Sequence, residues 1–120
     1  MKNVTLVFGA SLKEDRYSNI AIKRLKNKSL EVVAFGLRDG VVEGVKIDTN
    51  LLDYDSIDTV TLYLNPKRQK EYYNYLLSLK PRRVIFNPGT ENNEFQQLLV
   101  KNGIIAEVAC TLVLLATNQY

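Results

Sequence analysis

Four short segments are nearly continuous in β-branched or aromatic apolar residues: Val4 to Phe8, Leu30 to Phe35, Thr59 to Leu64 and Val84 to Phe86. A fifth, Ile104 to Val108, has the same character but carries Glu107 near its end. None alternates strictly between apolar and polar, so both faces of each need cover. Strands of that kind belong in parallel sheets flanked by helices. The segments between them have helical spacing. Tyr72, Leu76 and Leu79 fall at i, i+4 and i+7, and Phe95, Leu98 and Leu99 at i, i+3 and i+4, so each segment presents one apolar stripe. Asn65-Pro66 is a helix start, because Asn caps free amides and Pro at the first helical position loses no needed hydrogen bond. Gly103 is a helix stop. The first helical segment is Lys-rich and has Ala21, Ile22 and Leu25 to bury.

The stretch from Gly36 to Ile57 is interrupted by Gly36, Gly40 and Gly44. It reads as a loop with a short strand at Val45-Lys46-Ile47 and one helical turn near Leu51-Leu52. The alternation elsewhere predicts an α/β fold, a Rossmann-like, doubly wound, mainly parallel five-stranded sheet with helices on both faces.

Length makes residues 1–120 a single domain with a core of its own. Sixteen Lys and Arg against thirteen Asp and Glu leave a net charge of +3, which favours anionic ligands without demanding a polyanion. The densest basic run, Lys23 to Lys28, has the spacing of a solvated helix face, and no nucleic-acid motif accompanies it, so nucleic acid is not an expected partner. Cys110 is the single cysteine, which excludes an internal disulfide and a multi-cysteine metal site. The apolar opening runs straight into Lys13, Glu14, Asp15 and Arg16, unlike a secretory signal. The run from Ile104 to Ala116 contains Glu107 and falls short of the roughly 20 residues a span requires. A cytoplasmic protein that does not enter a membrane is expected.

Ligands of open parallel sheets bind beyond the carboxyl ends of the strands, where strand order reverses. That rule selects Gly9-Ala10-Ser11, Phe35 to Arg38, Leu64-Asn65-Pro66, Asn87-Pro88-Gly89-Thr90 and Glu107 to Cys110. In the first cluster Gly9 lets a ligand approach the backbone, and Ser11 stands beside a helix amino terminus that favours anions. A phosphate fits there, with Lys13 and Arg16 in the same loop to bond it. After the second strand stands Arg38, where an NAD-binding fold usually has an acid, so a ribose bearing an extra phosphate suits the site better. No G-x-G-x-x-G is present.

Val7-Phe8-Gly9-Ala10-Ser11, the following Asp15-Arg16-Tyr17-Ser18-Asn19 and the turns Asn65-Pro66 and Asn87-Pro88-Gly89 together resemble the single-domain CoA-binding proteins. These are related to the CoA-binding domain of the succinyl-CoA synthetase α subunit. The resemblance covers nearly the whole chain and implies coenzyme A, free or acylated, at the carboxyl ends of the strands. It implies that Gly9, Ala10 and Ser11 line the pyrophosphate, that Arg16 and Ser18 flank it, and that Arg38 replaces a family lysine near the ribose phosphate. Leu64, Asn65, Asn87, Pro88 and Gly89 complete the expected rim. The sequence departs from the family pattern at Leu12, Glu14 and Tyr17, and Gly36-Leu37-Arg38 replaces an Asn-Pro-Lys.

The chain has no histidine, so it lacks the commonest general base and cannot carry a phosphohistidine. No metal site and no catalytic residue is expected. Glu107 has no paired nucleophile, Ser11 has no base within sequence reach, and Cys110 reads as a small hydrophobe. A binding module is favoured over an enzyme. Two alternatives stay open: a small NADP-binding enzyme, and a protein-interaction domain that has lost its nucleotide. Tyr73 and Tyr75 leave room for a homo-oligomer or a partner subunit, since exposed tyrosine favours interfaces.

Overall fold

The computed structural model describes residues 3–120. Strand β1 (Val4–Ala10) lies at the centre, with β2 (Glu31–Gly36) on one side and β5 (Ile57–Leu62) on the other, both parallel to it. Beyond β2 come β4 (Val45–Asp48) and β3 (Gly40–Val42), and beyond β5 come β6 (Arg83–Phe86) and β7 (Ile105–Val108). The spatial order is β3-β4-β2-β1-β5-β6-β7, parallel throughout except for the antiparallel pair β3 and β4. The chain leaves β1 in one direction and returns to the other side at β5, so the switch point falls between β1 and β5.

The sheet therefore has seven mixed strands and not the five expected. Of the two strands beyond those five, β4 is the short strand expected at Val45-Lys46-Ile47, and β3 arises in the stretch whose glycines read as breakers. Glu43 and Gly44 have φ of 49° and 78°, and Val42 pairs with Val45 across them. Positive φ at both turn residues is the backbone hand that a two-residue hairpin requires, so Gly44 makes a hairpin instead of ending a strand. Leu51 and Leu52 form no helical turn and are exposed. The third expected strand ends at Leu62 instead of Leu64, although the Tyr63 amide still donates to Phe8.

Helices cover both faces. On one, Leu6 and Phe8 of β1 meet Leu76 and Leu79 from the α3 segment (Tyr73–Ser78), and Phe95 and Leu99 of α4 (Asn93–Lys101). On the other, Val7 meets Ile22 and Leu25 of α1 (Tyr17–Asn27), and Leu115 of α5 (Thr111–Ala116). Full burial of side chains this size contributes about 1.5–3 kcal/mol each, which explains why β1 carries no outward polar face. Between β5 and α3 the chain makes a short helix, α2 (Pro66–Gln69), and a 3-10 turn over Lys70–Tyr72. No helix among the described residues is long and apolar enough to cross a membrane.

Candidate functional site

At the switch point the carboxyl ends of the strands open into a cleft of about 950 Å³. Its floor begins at Gly9. The pairing of β1 with β2 slips between Phe8 and Ala10, and Gly9, with φ of 103°, makes the bulge after which Ala10 pairs with Gly36. A Cβ there would lie 3.1 Å from the Tyr63 carbonyl carbon and 3.1 Å from Leu64 Cδ2, so the end of β5 itself demands glycine. Gly36 serves the other side in the same way, since a Cβ on it would meet the Ala10 carbonyl oxygen at 2.4 Å. Leu12 lies across Gly40, where a Cβ would come within 2.5 Å of it, so the hairpin braces the turn after β1.

That turn is held by its own polar groups. Ser11 Oγ accepts from the Lys13 amide at 3.1 Å, the Arg16 amide donates to the Lys13 carbonyl at 3.1 Å, and Asn19 Nδ2 donates to the Ser11 carbonyl at 2.9 Å. Arg16 occupies the N-cap of α1 without a capping side-chain bond. The Asn19 amide bonds the Arg16 carbonyl at 3.0 Å, and Tyr17 and Ser18, which open α1, line the cleft beside the Ser11 turn, so a helix start that attracts anions lies at the site.

Four cationic side chains line the cleft, Lys13, Arg16, Arg38 and Arg68, against two carboxylates, Asp15 and Glu71. The ion pairs among the described residues lie elsewhere: Arg82 with Asp58, and Arg83 with Glu107. The four cations are therefore available to a ligand. Apolar surface comes from Phe35, Leu37 and Tyr72, with Phe35 buried against Phe8 at 4.7 Å between ring centroids and Tyr72 edge-on to both.

Of the residues expected at the site, Gly9, Ala10, Ser11, Lys13, Arg16, Ser18, Arg38, Leu64 and Pro88 line this cleft. Asn65, Asn87 and Gly89 lie outside it, each for a local reason. Asn65 caps α2, its Oδ1 accepting from the Arg68 amide at 3.0 Å. Asn87 is buried, and its Nδ2 donates to Thr61 Oγ1 at 2.7 Å and to the Leu62 carbonyl at 2.8 Å. The Gly89 amide donates to Glu91 Oε1 at 2.9 Å.

Sequence reasoning missed Arg68, Glu71 and Tyr72, which the bend from α2 into the 3-10 turn carries back over the cleft. Their signal was present in Asn65-Pro66, which starts a helix at the rim and so commits the residue one turn later to the same opening. Tyr63 and Thr90 also line the cleft. The Tyr63 hydroxyl is buried close to Thr61 and Thr111 without a well-formed hydrogen bond to either, and those two hydroxyls bond each other at 2.8 Å. Burial pushes its pKa up to about 12.

Other side chains with chemical capacity lie away from the cleft. Glu107 is held by Arg83 at 3.2 Å on the edge strand, and Cys110 occupies the N-cap of α5. Tyr73 stacks on Phe95 at 4.4 Å, and the Tyr75 hydroxyl donates to the Leu52 carbonyl, so both find partners within the chain. Among the described residues no cluster of three His, Cys, Asp or Glu side chains forms a metal site.

Known structures share this fold. A crystal structure of an uncharacterized protein is 44% identical, superposes with a TM-score of 0.96, and the match covers 100% of this chain and 99% of that one. A hypothetical protein from Pyrococcus horikoshii OT3 is 30% identical over 93% of this chain and 80% of its own, with a TM-score of 0.79. A protein from Thermus thermophilus shares the fold at 19% identity, with a TM-score of 0.87 over 99% of this chain and 91% of its own. No curated protein matches the sequence. Residues 3–116 match the CoA binding domain family across nearly the whole length described above, and the chain belongs to that family.

Proposed function

We propose that this protein binds coenzyme A, free or acylated, in the cleft between β1 and β5, and that it does so without chemistry of its own. The observation that carries the reading is the set of unpaired cations, Lys13, Arg16, Arg38 and Arg68, around the Gly9–Ser11 turn. A ligand with several phosphates satisfies them, and family membership supports CoA as that ligand. In this reading the pyrophosphate lies on the turn and the open first turn of α1, with Ser18 beside it. Arg38, at the end of β2, takes the ribose phosphate. Absence of histidine, the engagement of Glu107 by Arg83 and the lack of a base at Ser11 support binding without catalysis.

Thermal shift with CoA, acetyl-CoA and NAD tests the reading. A ligand at about 100 times its dissociation constant adds roughly 2.7 kcal/mol to stability, so CoA and acetyl-CoA are expected to raise the melting temperature and NAD to do much less. Equal shifts with NAD and CoA, or none with either, would sink it.

A further inference from the structure

Gln69, the last residue of α2, has 0% exposure although its neighbour Arg68 lines the cleft. A primary amide buried so completely is costly unless its hydrogen bonds are made. Here they are made to the two loops that form one wall of the site. Nε2 donates to the Leu64 carbonyl at 2.9 Å and to the Thr90 carbonyl at 2.8 Å, while Oε1 accepts from Asn92 Nδ2 at 2.9 Å. Leu64 follows β5 and Thr90 follows β6, and both line the cleft. Asn92 sets which way the Gln69 amide points. Its own Oδ1 caps α4 by accepting from the Phe95 amide at 3.1 Å, which leaves only its NH2 group to face Gln69 and Tyr73.

The two halves of the cleft differ in chemistry. The turn after β1, the start of α1 and the end of β2 bring Lys13, Arg16 and Arg38. The wall of Leu64, Pro88 and Thr90 offers apolar surface and backbone, and the two charges that α2 and the turn after it bring beside it, Arg68 and Glu71, are of opposite sign. A phosphate-rich end of a ligand belongs on the first half, and an uncharged, amide-bearing arm belongs against the second. We infer that Gln69 is a positioning residue, which joins the loops after β5 and β6 and so holds the wall that grips the uncharged arm of CoA. The inference rests on the reading of the cleft as a CoA site.

Titration calorimetry with CoA and with adenosine 3′,5′-bisphosphate, which lacks the arm, tests it on two variants. Gln69→Met keeps the length of the side chain and removes both donations. Asn92→Asp keeps a capping oxygen for Phe95, since Asp caps as well as Asn, but turns an oxygen toward Gln69 Oε1 and drives the Gln69 amide to flip. In both, CoA affinity is expected to fall at least about tenfold, as loss of buried hydrogen bonds implies, with bisphosphate affinity unchanged. Circular dichroism establishes that each variant is folded, and Asn92→Asp decides alone if Gln69→Met does not fold. Parallel loss of both ligands, or loss of neither, would overturn the role of Gln69 while leaving the site in place. Wild-type protein that takes up neither ligand would overturn the reading of the cleft and this inference with it.

Discussion

The side-chain oxygen of Asn87 accepts the backbone N–H of Thr111 at 2.8 Å, so a residue on the turn after β6 caps the helix that follows β7. Cys110, at the N-cap itself, supplies no such bond. With its Nδ2 committed to Thr61 and Leu62, Asn87 joins β5, β6 and α5 in one buried node. Asn87→Ala removes the partners of Thr61 and Leu62 on β5 and of the Thr111 amide on α5, and each buried group left unsatisfied costs about 1–3 kcal/mol. We expect a loss of about 3 kcal/mol or more, read as a lower urea midpoint, with the ligand affinity of the folded protein unchanged. Weaker CoA binding at unaltered stability would instead return Asn87 to the ligand site.

Arg38 is exposed at the end of β2 and lines the cleft. If its guanidinium meets the 3′-phosphate of CoA, Arg38→Ala should weaken CoA by about tenfold, the lower end of what a hydrogen bond to a charged group contributes once solvent screening is allowed for. Dephospho-CoA differs only by that phosphate, so its affinity should not change. Calorimetry that finds both ligands weakened equally, or neither, would remove Arg38 from the ribose phosphate.

Arg68 enters the cleft from α2, one turn past the helix start, and its charged end is free of ion pairs. Arg68→Gln keeps the cap from Asn65, which goes to the backbone amide, so the fold should persist. CoA affinity should fall by about threefold to tenfold at low salt, with the difference from wild type shrinking as added salt screens the charge. A difference that salt does not reduce would point to packing instead of charge.

The chain's apolar runs made the parallel strands legible because the central ones lie buried on both faces, as β1 does between Phe95 and Ile22, while the edge strand β7 leaves Ile105 and Val108 exposed. The site was legible where it is made of turn residues at strand ends, Gly9 to Ser11 and Pro88 among them. Two kinds of information escaped. The pairing of β3 with the expected strand β4 turns on a non-glycine residue, Glu43, at positive φ, a conformation that residue type does not announce. Side-chain amides such as those of Asn87 and Asn65 suit a phosphate rim and a helix cap equally well. Only the fold brings Thr61, Leu62 and Thr111 within reach of the first and the Arg68 amide onto the second. Gly9 was read as a place for ligand to approach, yet Tyr63 and Leu64 already require it.

Tyr63 offers a test that separates burial from function in one residue. Its ring lines the cleft while its hydroxyl is buried close to the Thr61 and Thr111 hydroxyls without a well-formed hydrogen bond to either. Removing an unsatisfied buried hydroxyl is favourable, so Tyr63→Phe should stabilise the protein by about 1 kcal/mol at neutral pH and leave CoA affinity unchanged. Burial also raises the phenol from its usual 10.0 to about 12 in the folded state. The unfolded chain then ionises first as pH rises, so stability is fully present below about 10 and is lost as pH rises from there toward about 12. Tyr63→Phe has no such group, and its advantage in melting temperature over wild type should widen above pH 10. Tyr75, raised to about 12 by burial, remains in both proteins, so the variant keeps part of the alkaline loss. Thermal melts at neutral pH and above the phenol range read both effects. A variant less stable than wild type at neutral pH would mean that the hydroxyl has found a partner, and an advantage that does not grow with pH would mean that Tyr63 ionises as readily folded as unfolded.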